Sequence, residues 1–277
     1  MTNPHSKRPY NDDNKKMNDG SSKSDLFSEL KSLFYLLVLA LLIRILIFEP
    51  FYIPSPSMEP NLTEGDYVFS TKFDYGYSRH SLIMSTNLFS GRILGGTPER
   101  GDVIIFRPPH RMDQRYIKRI VGLPGEKLEI KDGKVYINDN LLERKLVKTY
   151  QEDDVWYNDY IETTDKGRKY KIRQRNFKDL DAARIKVLQE INNLGPFHIK
   201  EGEYFVLGDN RDNSGDSRFD LGTVPYENII SRARFIFFSF GDSLWIENSL
   251  SIDQIKQVWY WVISFRFNRL FKGIYEN

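Results

Sequence analysis

The stretch PSPSMEP, residues 54–60, holds two serines in a backbone that three prolines make stiff. A serine hydroxyl is a weak nucleophile, and it attacks a carbonyl only when a base stands beside it. Pro56 favours extended geometry at Ser55 and has no N–H of its own, so the N–H that could polarise a carbonyl belongs to Ser57. An oxyanion hole made of that N–H and the Ser55 hydroxyl is chemically reasonable. A plain loop that leaves an apolar helix is the competing interpretation.

A lysine is the base that the sequence favours, because histidines are scarce. The chain has only four, in contexts without suitable acidic neighbours: His5, His80, His110 and His198. A free lysine with a pKa of roughly 10.4 is neutral in about one molecule in 10³ at pH 7, and burial among apolar groups lowers that pKa. Lys118 in RYIKRIVGLPGE shares a strand face with Tyr116 and Ile120, while Arg119 points away. A solvent-facing lysine on an edge strand is the alternative.

The third polar stretch is GDNRDNSGDSR, residues 208–218, which directly follows the apolar run EYFVL. It resembles a calcium loop in composition, but Phe219 stands where that motif requires a glutamate. Its alternating acids and arginines are better suited to fixing loops through ion pairs. An ordinary turn-rich loop is the simpler interpretation.

Composition narrows the chemistry further. The 277 residues are 40% hydrophobic and 14% aromatic, as in a globular protein, and the net charge of +2 indicates no polyanionic partner such as nucleic acid. The absence of cysteine excludes disulfides, a cysteine nucleophile and cysteine-ligated metals. No metal-ligand spacing occurs among the histidines, so we expect neither a metal nor an organic cofactor.

A membrane anchor is predicted near the N-terminus. LFYLLVLALLIRILIFEPFYI, residues 33–53, is apolar on every face, which argues against a one-sided core helix, and FEPFYIPS is unlike the end of a cleaved signal peptide. We predict a single anchor helix over residues 24–53 that starts at a cap near Ser24, with Arg44 reaching towards lipid headgroups. Residues 1–23 are predicted to form a disordered tail. Six lysines and arginines precede the apolar run and favour a cytoplasmic N-terminus.

The region after the anchor is predicted to be mainly β. Short apolar-aromatic runs bounded by turn residues indicate strands at 66–73, 101–108, 203–209 and 231–240. Asp132-Gly133 predicts a hairpin within 126–139, and Lys166-Gly167 another within 160–174. Helical spacing returns between about Lys178 and Asn193, with Gly195-Pro196 to stop it.

Charge divides this region into two parts. We predict a catalytic core from residues 54–125 and 201–250, interrupted by a charged, inserted subdomain over 126–200. Residues 251–277 form a C-terminal segment in which aromatic residues alternate with Arg and Lys. Core packing and contact with a bilayer surface both remain possible explanations of that segment.

Four motifs occur together and in order: PSPSMEPNLTEGD, RGDVIIF, YIKRIVGLPGE and GDNRDNSGDSR. Together they resemble the bacterial type I signal peptidases, membrane-bound serine proteases with a Ser–Lys dyad, over about residues 43–240. The resemblance implies a coiled antiparallel β-sheet catalytic core with a β-rich insert. It also implies hydrolysis of secretory preproteins at the outer face of the inner membrane, where the substrate carries small residues at positions −1 and −3.

The resemblance assigns a role to each matching residue. Ser57 would be the nucleophile, Lys118 the general base, and Ser55 with the Ser57 N–H the oxyanion hole. Ser214 would hydrogen-bond and orient the lysine amine. The supporting residues would be the ion pairs Asp209–Arg119 and Asp216–Arg218, and Met58 beside the dyad.

Two departures and three rivals accompany this interpretation. Pro56 stands where the family often has Gly, and Asn61 where it usually has Thr; we expect both to be tolerated. A self-cleaving repressor with a Ser–Lys dyad would carry a DNA-binding domain where the tail and anchor stand here. An inactive membrane-anchored binding module would not need the intact serines and lysine. A nucleic-acid-binding β-domain has little support from the scattered basic residues.

Overall fold

The computed structural model describes residues 13–81, 91–178, 180–241 and 264–275, with side chains from residue 26 onwards. The chain divides into two compact units, Met1–Ile45 and Leu46–Asn277. Parts of the predicted tail, of the predicted core and of the C-terminal segment (residues 1–12, 242–250 and 251–263) lie outside the described residues.

Helix α1 spans Asp13–Leu46, so it begins earlier and ends earlier than predicted. Its last 21 residues, Leu26–Leu46, are long and apolar enough to cross a membrane, and none of them is buried within the molecule. Residues 13–23 are helical rather than disordered, since each residue added to an existing helix gains a hydrogen bond without a new nucleus. The anchor helix does not reach residue 53, because Pro50 disfavours helical geometry before it and a strand begins at Phe48.

The second unit is built from sixteen short strands and one helix among its described residues. The strands are β1 Phe48–Tyr52, β2 Asp66–Thr71, β3 Tyr77–Ser78, β4 Arg92–Ile93, β5 Val103–Phe106, β6 Tyr116–Gly122, β7 Lys127–Lys131, β8 Lys134–Ile137, β9 Asn140–Leu141, β10 Arg144–Glu152, β11 Val155–Thr163, β12 Lys169–Arg175, β13 Leu194–His198, β14 Glu203–Leu207, β15 Val224–Pro225 and β16 Ile229–Ser239. Helix α2 spans Ala182–Ile191, which lies inside the stretch predicted to be helical, and Asp181 is its N-cap.

One antiparallel sheet organises the site, with strand order β1-β2-β16-β5-β6-β14-β15. Its strands come from both sides of the charged region, as the prediction of a divided core requires. β1 lies at an edge, where Pro50 costs the sheet no internal hydrogen bond. β6 lies in the interior, between β5 and β14.

The charged region forms two further sheets, β10-β11-β12 and β13-β7-β8-β9. Both predicted hairpins are confirmed: β7 pairs with β8 around Asp132-Gly133, and β11 pairs with β12 around Lys166-Gly167. Asp132 and Gly133 both have positive φ, which Gly and Asp tolerate at such turns. The mainly β fold class is therefore confirmed.

Apolar packing ties these sheets together. One cluster places Phe51 and Ile53 of the β1 region against Ile105, Ile117 and the C-terminal Ile274. A second joins strands of the charged region to β6 and β14, and a third lies beneath β5, β6 and β15. The described C-terminal residues thus contribute to the core through Ile274, while Phe267 and Phe271 are about three-quarters exposed, 73% and 74%.

Candidate active site

Ser57 and Lys118 meet although 61 positions separate them: Lys118 Nζ lies 2.7 Å from Ser57 Oγ. Ser57 is held in a 3₁₀ turn over Pro56–Met58, and Ser55, directly before it, has the extended conformation that Pro56 was predicted to impose. Lys118 comes from β6. Both side chains are almost completely buried, so bulk water does not separate them.

Lys118 is buried and does not face solvent, unlike the lysine of the alternative left open by periodicity. β6 pairs with β5 on one side, and with β14 on the other side from Arg119 to Gly122. Burial is the largest influence on the Lys118 amine, and it lowers the pKa to about 8; Asp216 and Asp209 act in the opposite direction. With that pKa, about one molecule in ten carries a neutral amine at pH 7, compared with about one in 3 × 10³ for a lysine with the ordinary pKa of 10.5.

The Ser55 hydroxyl lies 3.2 Å from Ser57 Oγ, beside the atom that would attack a substrate. Met58 is fully buried in the apolar cluster of Phe51 and Ile117, so it packs beneath the turn that carries the serine. A cavity of about 610 Å³ opens above the pair, lined by Ser55, Ser57, Lys118 and these further residues: Phe51, Pro54, Pro56, Gln114, Arg115, Tyr116, Ile117, Asn213 and Gly215.

Both predicted ion pairs are present and buried. Arg119 donates two hydrogen bonds of 2.7 Å to the carboxylate of Asp209, and the side chains of both residues are at most 1% exposed. Arg218 donates to both oxygens of Asp216 at 2.8 and 2.9 Å. The first pair holds the 208–218 loop to β6 and the second braces the loop internally, although buried ion pairs add little net stability.

Ser214 differs from its predicted role in this structure. Its Oγ is buried and makes no hydrogen bond within the described part of the chain, so the expected bond to the lysine amine is not formed. The hydroxyl nevertheless lies close to the nucleophile turn: a Cβ on Gly208 would stand 2.2 Å from Ser214 Oγ and 2.5 Å from the Ser57 carbonyl oxygen.

Several supporting residues were missed by sequence reasoning. The Asn210 N–H donates to the Ser57 carbonyl at 3.1 Å, and its side chain donates to the Pro56 carbonyl at 3.2 Å. Asn61, expected only to be tolerated, donates to Asp209 Oδ2 at 2.6 Å and to the Lys171 carbonyl at 2.7 Å. The loop that carries the serine is therefore tied directly to the polar 208–218 loop.

The charged region also supports this loop. Arg211 forms a buried two-point ion pair with Glu162 of β11, with one bond of 2.6 Å. Arg173 of β12 exchanges backbone hydrogen bonds with the loop, donating to the Asp209 carbonyl at 2.8 Å and accepting from the Arg211 N–H at 2.9 Å. The only sequence signal for the Arg211–Glu162 pair was that Arg211 is an arginine of the 208–218 motif to which no acidic partner had been assigned.

Within the described ranges, no three His, Asp or Glu side chains converge in a way that could hold an ion. The chemistry available at this site is that of an activated alcohol beside a buried amine.

Comparison with known proteins identifies the class. The profile of the family "Signal peptidase, peptidase S26" matches residues 26–238. The chain therefore belongs to the signal peptidase family, peptidase S26, and is a serine endopeptidase.

Particular relatives agree with this assignment. Signal peptidase I of Rickettsia massiliae (strain Mtu5) is 43% identical over 268 residues, which is 96% of this chain and 98% of the relative. Signal peptidase I of Rickettsia bellii (strain OSU 85-389) is 45% identical over 251 residues, 90% and 86% of the two chains. Among solved structures, a signal peptidase I from Enterococcus faecalis V583 is 29% identical, with 49% of this chain and 96% of that chain covered and a TM-score of 0.27.

Proposed function

We propose that this protein is a membrane-anchored endopeptidase that removes N-terminal signal peptides from secreted preproteins, with Ser57 as nucleophile and Lys118 as general base. The observation that carries the proposal is the 2.7 Å separation of Lys118 Nζ and Ser57 Oγ in a site where both are buried. General base catalysis requires that reach. The substrate class follows from family membership.

The reaction begins with a neutral Lys118 amine. It takes the Ser57 proton while Oγ attacks the carbonyl carbon before the scissile bond, and an oxyanion forms. The resulting ammonium returns that proton to the leaving amine, and the acyl-enzyme remains on Ser57. The neutral amine then removes a proton from water as the water oxygen attacks the ester carbon; the C–Oγ bond breaks, and the ammonium returns the proton to Ser57 Oγ, which regenerates the enzyme.

The oxyanion is stabilised by two donors, the Ser57 N–H and the Ser55 hydroxyl. The short distance between the two serine oxygens, 3.2 Å, supports this assignment, because the donor must lie beside the reacting atom. Ser214 positions the amine of Lys118 once a substrate is bound. Its buried hydroxyl, without a partner among the described residues, is free to take up that bond.

Substrate binds in an extended conformation along β6. The last residue of β14 pairs with Arg119, and no described strand continues beside Tyr116–Lys118 on that side. An extended peptide can add its backbone hydrogen bonds to such an open strand edge. Small side chains at −1 and −3 then face the apolar wall formed by Phe51, Pro54 and Ile117.

The anchor and an aromatic face hold the enzyme at the lipid surface. Residues 26–46 span the inner membrane with the N-terminus in the cytoplasm, as the preceding basic residues favour. A groove of about 720 Å³ is lined by eight aromatic rings and one proline: Phe48, Pro50, Tyr67, Phe69, Phe235, Phe237, Phe238, Phe240 and Phe271. This aromatic groove contacts lipid. Confinement to the membrane raises the local concentration of emerging substrate.

Cleavage of a labelled preprotein by the detergent-solubilised protein tests the catalytic proposal. Ser57→Ala and Lys118→Ala should each abolish the cut after a small residue while the protein stays folded. Ser70→Ala and Lys72→Ala remove another buried serine and the other buried lysine among the described residues, away from the site. The two controls should stay active, and activity retained in Ser57→Ala or Lys118→Ala would exclude the dyad.

Topology and lipid contact have a separate test. In spheroplasts, an external protease should digest the second unit and spare a tag at the N-terminus. The double variant Phe238→Ser and Phe271→Ser, which alters two exposed aromatics, should weaken binding of the protein without its anchor, residues 47–277, to vesicles of bacterial lipid. Equal binding of the variant and the parent would show that the aromatic groove does not contact lipid.

A further inference from the structure

A second cavity of about 410 Å³ lies next to the one above the dyad. The two share Tyr116 and Gly215 and differ in their other lining residues. Pro108, Phe219 and Leu221 give the second cavity an apolar wall, and three exposed polar residues also line it: His110, Arg111 and Asp220. Its size lies in the range of a site for an organic ligand, which usually measures about 300–1,000 Å³.

Gly215 lines both cavities. A Cβ at this position would meet no atom within 4 Å, and its φ lies outside the left-handed range in which glycine is required. Backbone geometry therefore does not demand a glycine here. A side chain here would therefore begin in open space, at a residue that lines both cavities.

The strand alternation of β6 indicates which substrate side chains face this cavity. Ile117 packs into the cluster of Phe51 and Ile105, whereas Tyr116 packs into the cluster on the other side of the sheet. Lys118 Nζ lies 5.9 Å from the Tyr116 ring centroid, on that same second side. An extended peptide paired with β6 alternates in the same way.

Side chains at −1 and −3 share one face of an extended peptide, and those at −2 and +1 point to the opposite face. If −1 and −3 occupy the Ile117 side, −2 and +1 point towards Tyr116 and Gly215, where the second cavity begins. Phe219, which is 42% exposed, would gain an apolar neighbour there.

We propose that the second cavity is a substrate subsite for an apolar side chain at −2 or +1, and that the missing side chain at Gly215 sets the largest size accepted. The inference rests on the proposed function, since it requires a peptide substrate bound along β6. It assigns a specificity role to one position of the 208–218 loop that takes no part in the dyad.

The test compares matched preproteins in the full-length protein. One substrate has Ala at both −2 and +1, a second has Phe at −2, and a third has Phe at +1. In Gly215→Leu, the kcat/KM ratio of a Phe substrate to the Ala substrate should fall about 10- to 100-fold, in line with discrimination by pocket size. Gly215→Ala should give a smaller fall in the same direction.

Leu221 lines the second cavity and not the first. Leu221→Ala enlarges the second cavity, so it should raise the kcat/KM ratio of a Phe substrate to the Ala substrate several-fold. Opposite changes in the two variants cannot come from a general loss of folding, which would lower kcat/KM for all three substrates together. The inference is overturned if the ratio stays constant in both variants, or if size is discriminated only at −1 or −3. Cleavage that survives Ser57→Ala would instead overturn the proposed function.

Discussion

The titration of Lys118 should govern the pH dependence of cleavage. Burial lowers the pKa of its amine from 10.5 to about 8, which raises the neutral fraction near pH 7 about 300-fold. We expect kcat/KM to increase with pH, to reach half of its limit near pH 8 and to level off above it, because kcat/KM reports groups of the free enzyme. At pH 7 the value should be about one-tenth of the plateau.

Two substitutions should move this profile in opposite directions. Asp216 raises the pKa of Lys118 and Arg218 lowers it. Asp216→Asn removes the carboxylate and leaves Arg218 unpaired, so both changes shift the half-maximum to lower pH. Arg218→Met leaves the Asp216 charge unopposed and shifts it to higher pH. A shift of one pKa unit changes kcat/KM about 10-fold on the rising limb and leaves the plateau in place.

The assay is cleavage of a labelled preprotein at concentrations well below KM between pH 5.5 and 10, with thermal unfolding measured alongside, since an unpaired buried charge costs about 3–5 kcal/mol. Arg79→Met, which removes an arginine of the half-exposed pair with Glu227, is the control and should leave the half-maximum unchanged. A flat profile, or shifts of the same sign in the Asp216 and Arg218 variants, would refute Lys118 as the titrating base.

Two further predictions concern the packing of the site. Gly208→Ala should lower kcat/KM at least 10-fold in a folded protein, because its Cβ would stand 2.5 Å from the Ser57 carbonyl oxygen. Gly273→Ala is the matched control, since the nearest atom to its Cβ would be 3.6 Å away. Equal activity of the two variants would contradict the argument. Lys118→Met should be inactive yet more stable by up to about 3 kcal/mol at pH 7, where a buried ammonium destabilises the parent protein. The pKa of Lys118 is lower in the folded than in the unfolded protein, so the parent should gain stability as pH rises from about 8 to 10.5. Above that range the difference in stability between the parent and Lys118→Met should vanish. Chemical unfolding at pH 7 and pH 10.5 checks both the sign and the pH window.

Local sequence signals predicted the elements that depend on a few neighbouring residues. Asp132-Gly133 and Lys166-Gly167 define hairpins because the turn itself requires those residue types. The end of α1 was harder to predict, because apolar residues continue on both sides of Glu49 and Pro50 as far as Ile53. Those residues pair with β2, and pairing with a distant strand decides between helix and strand where composition does not.

The environment of Lys118 illustrates the same limit within the site. Periodicity placed it with Tyr116 and away from Arg119 but could not tell an edge strand from an interior one. The neighbouring strands β5 and β14 make that distinction, and β14 follows more than 80 residues later in the chain. The contacts of Asn61 and Glu162 escaped notice for the same reason: each is a single polar residue whose partner is remote in sequence.

The buried ion pairs explain how a neutral lysine can exist beside two carboxylates. Asp209 and Asp216 both favour the charged amine and would raise its pKa if they stood alone. Each carboxylate is instead bound by its own arginine, Arg119 or Arg218, and a paired charge has a weaker field at the amine than an isolated one. The pairs can therefore hold the 208–218 loop to β6 and brace it internally while desolvation still controls the titration of Lys118. Replacing both members of the Asp216–Arg218 pair should then disturb the pKa less than replacing either one.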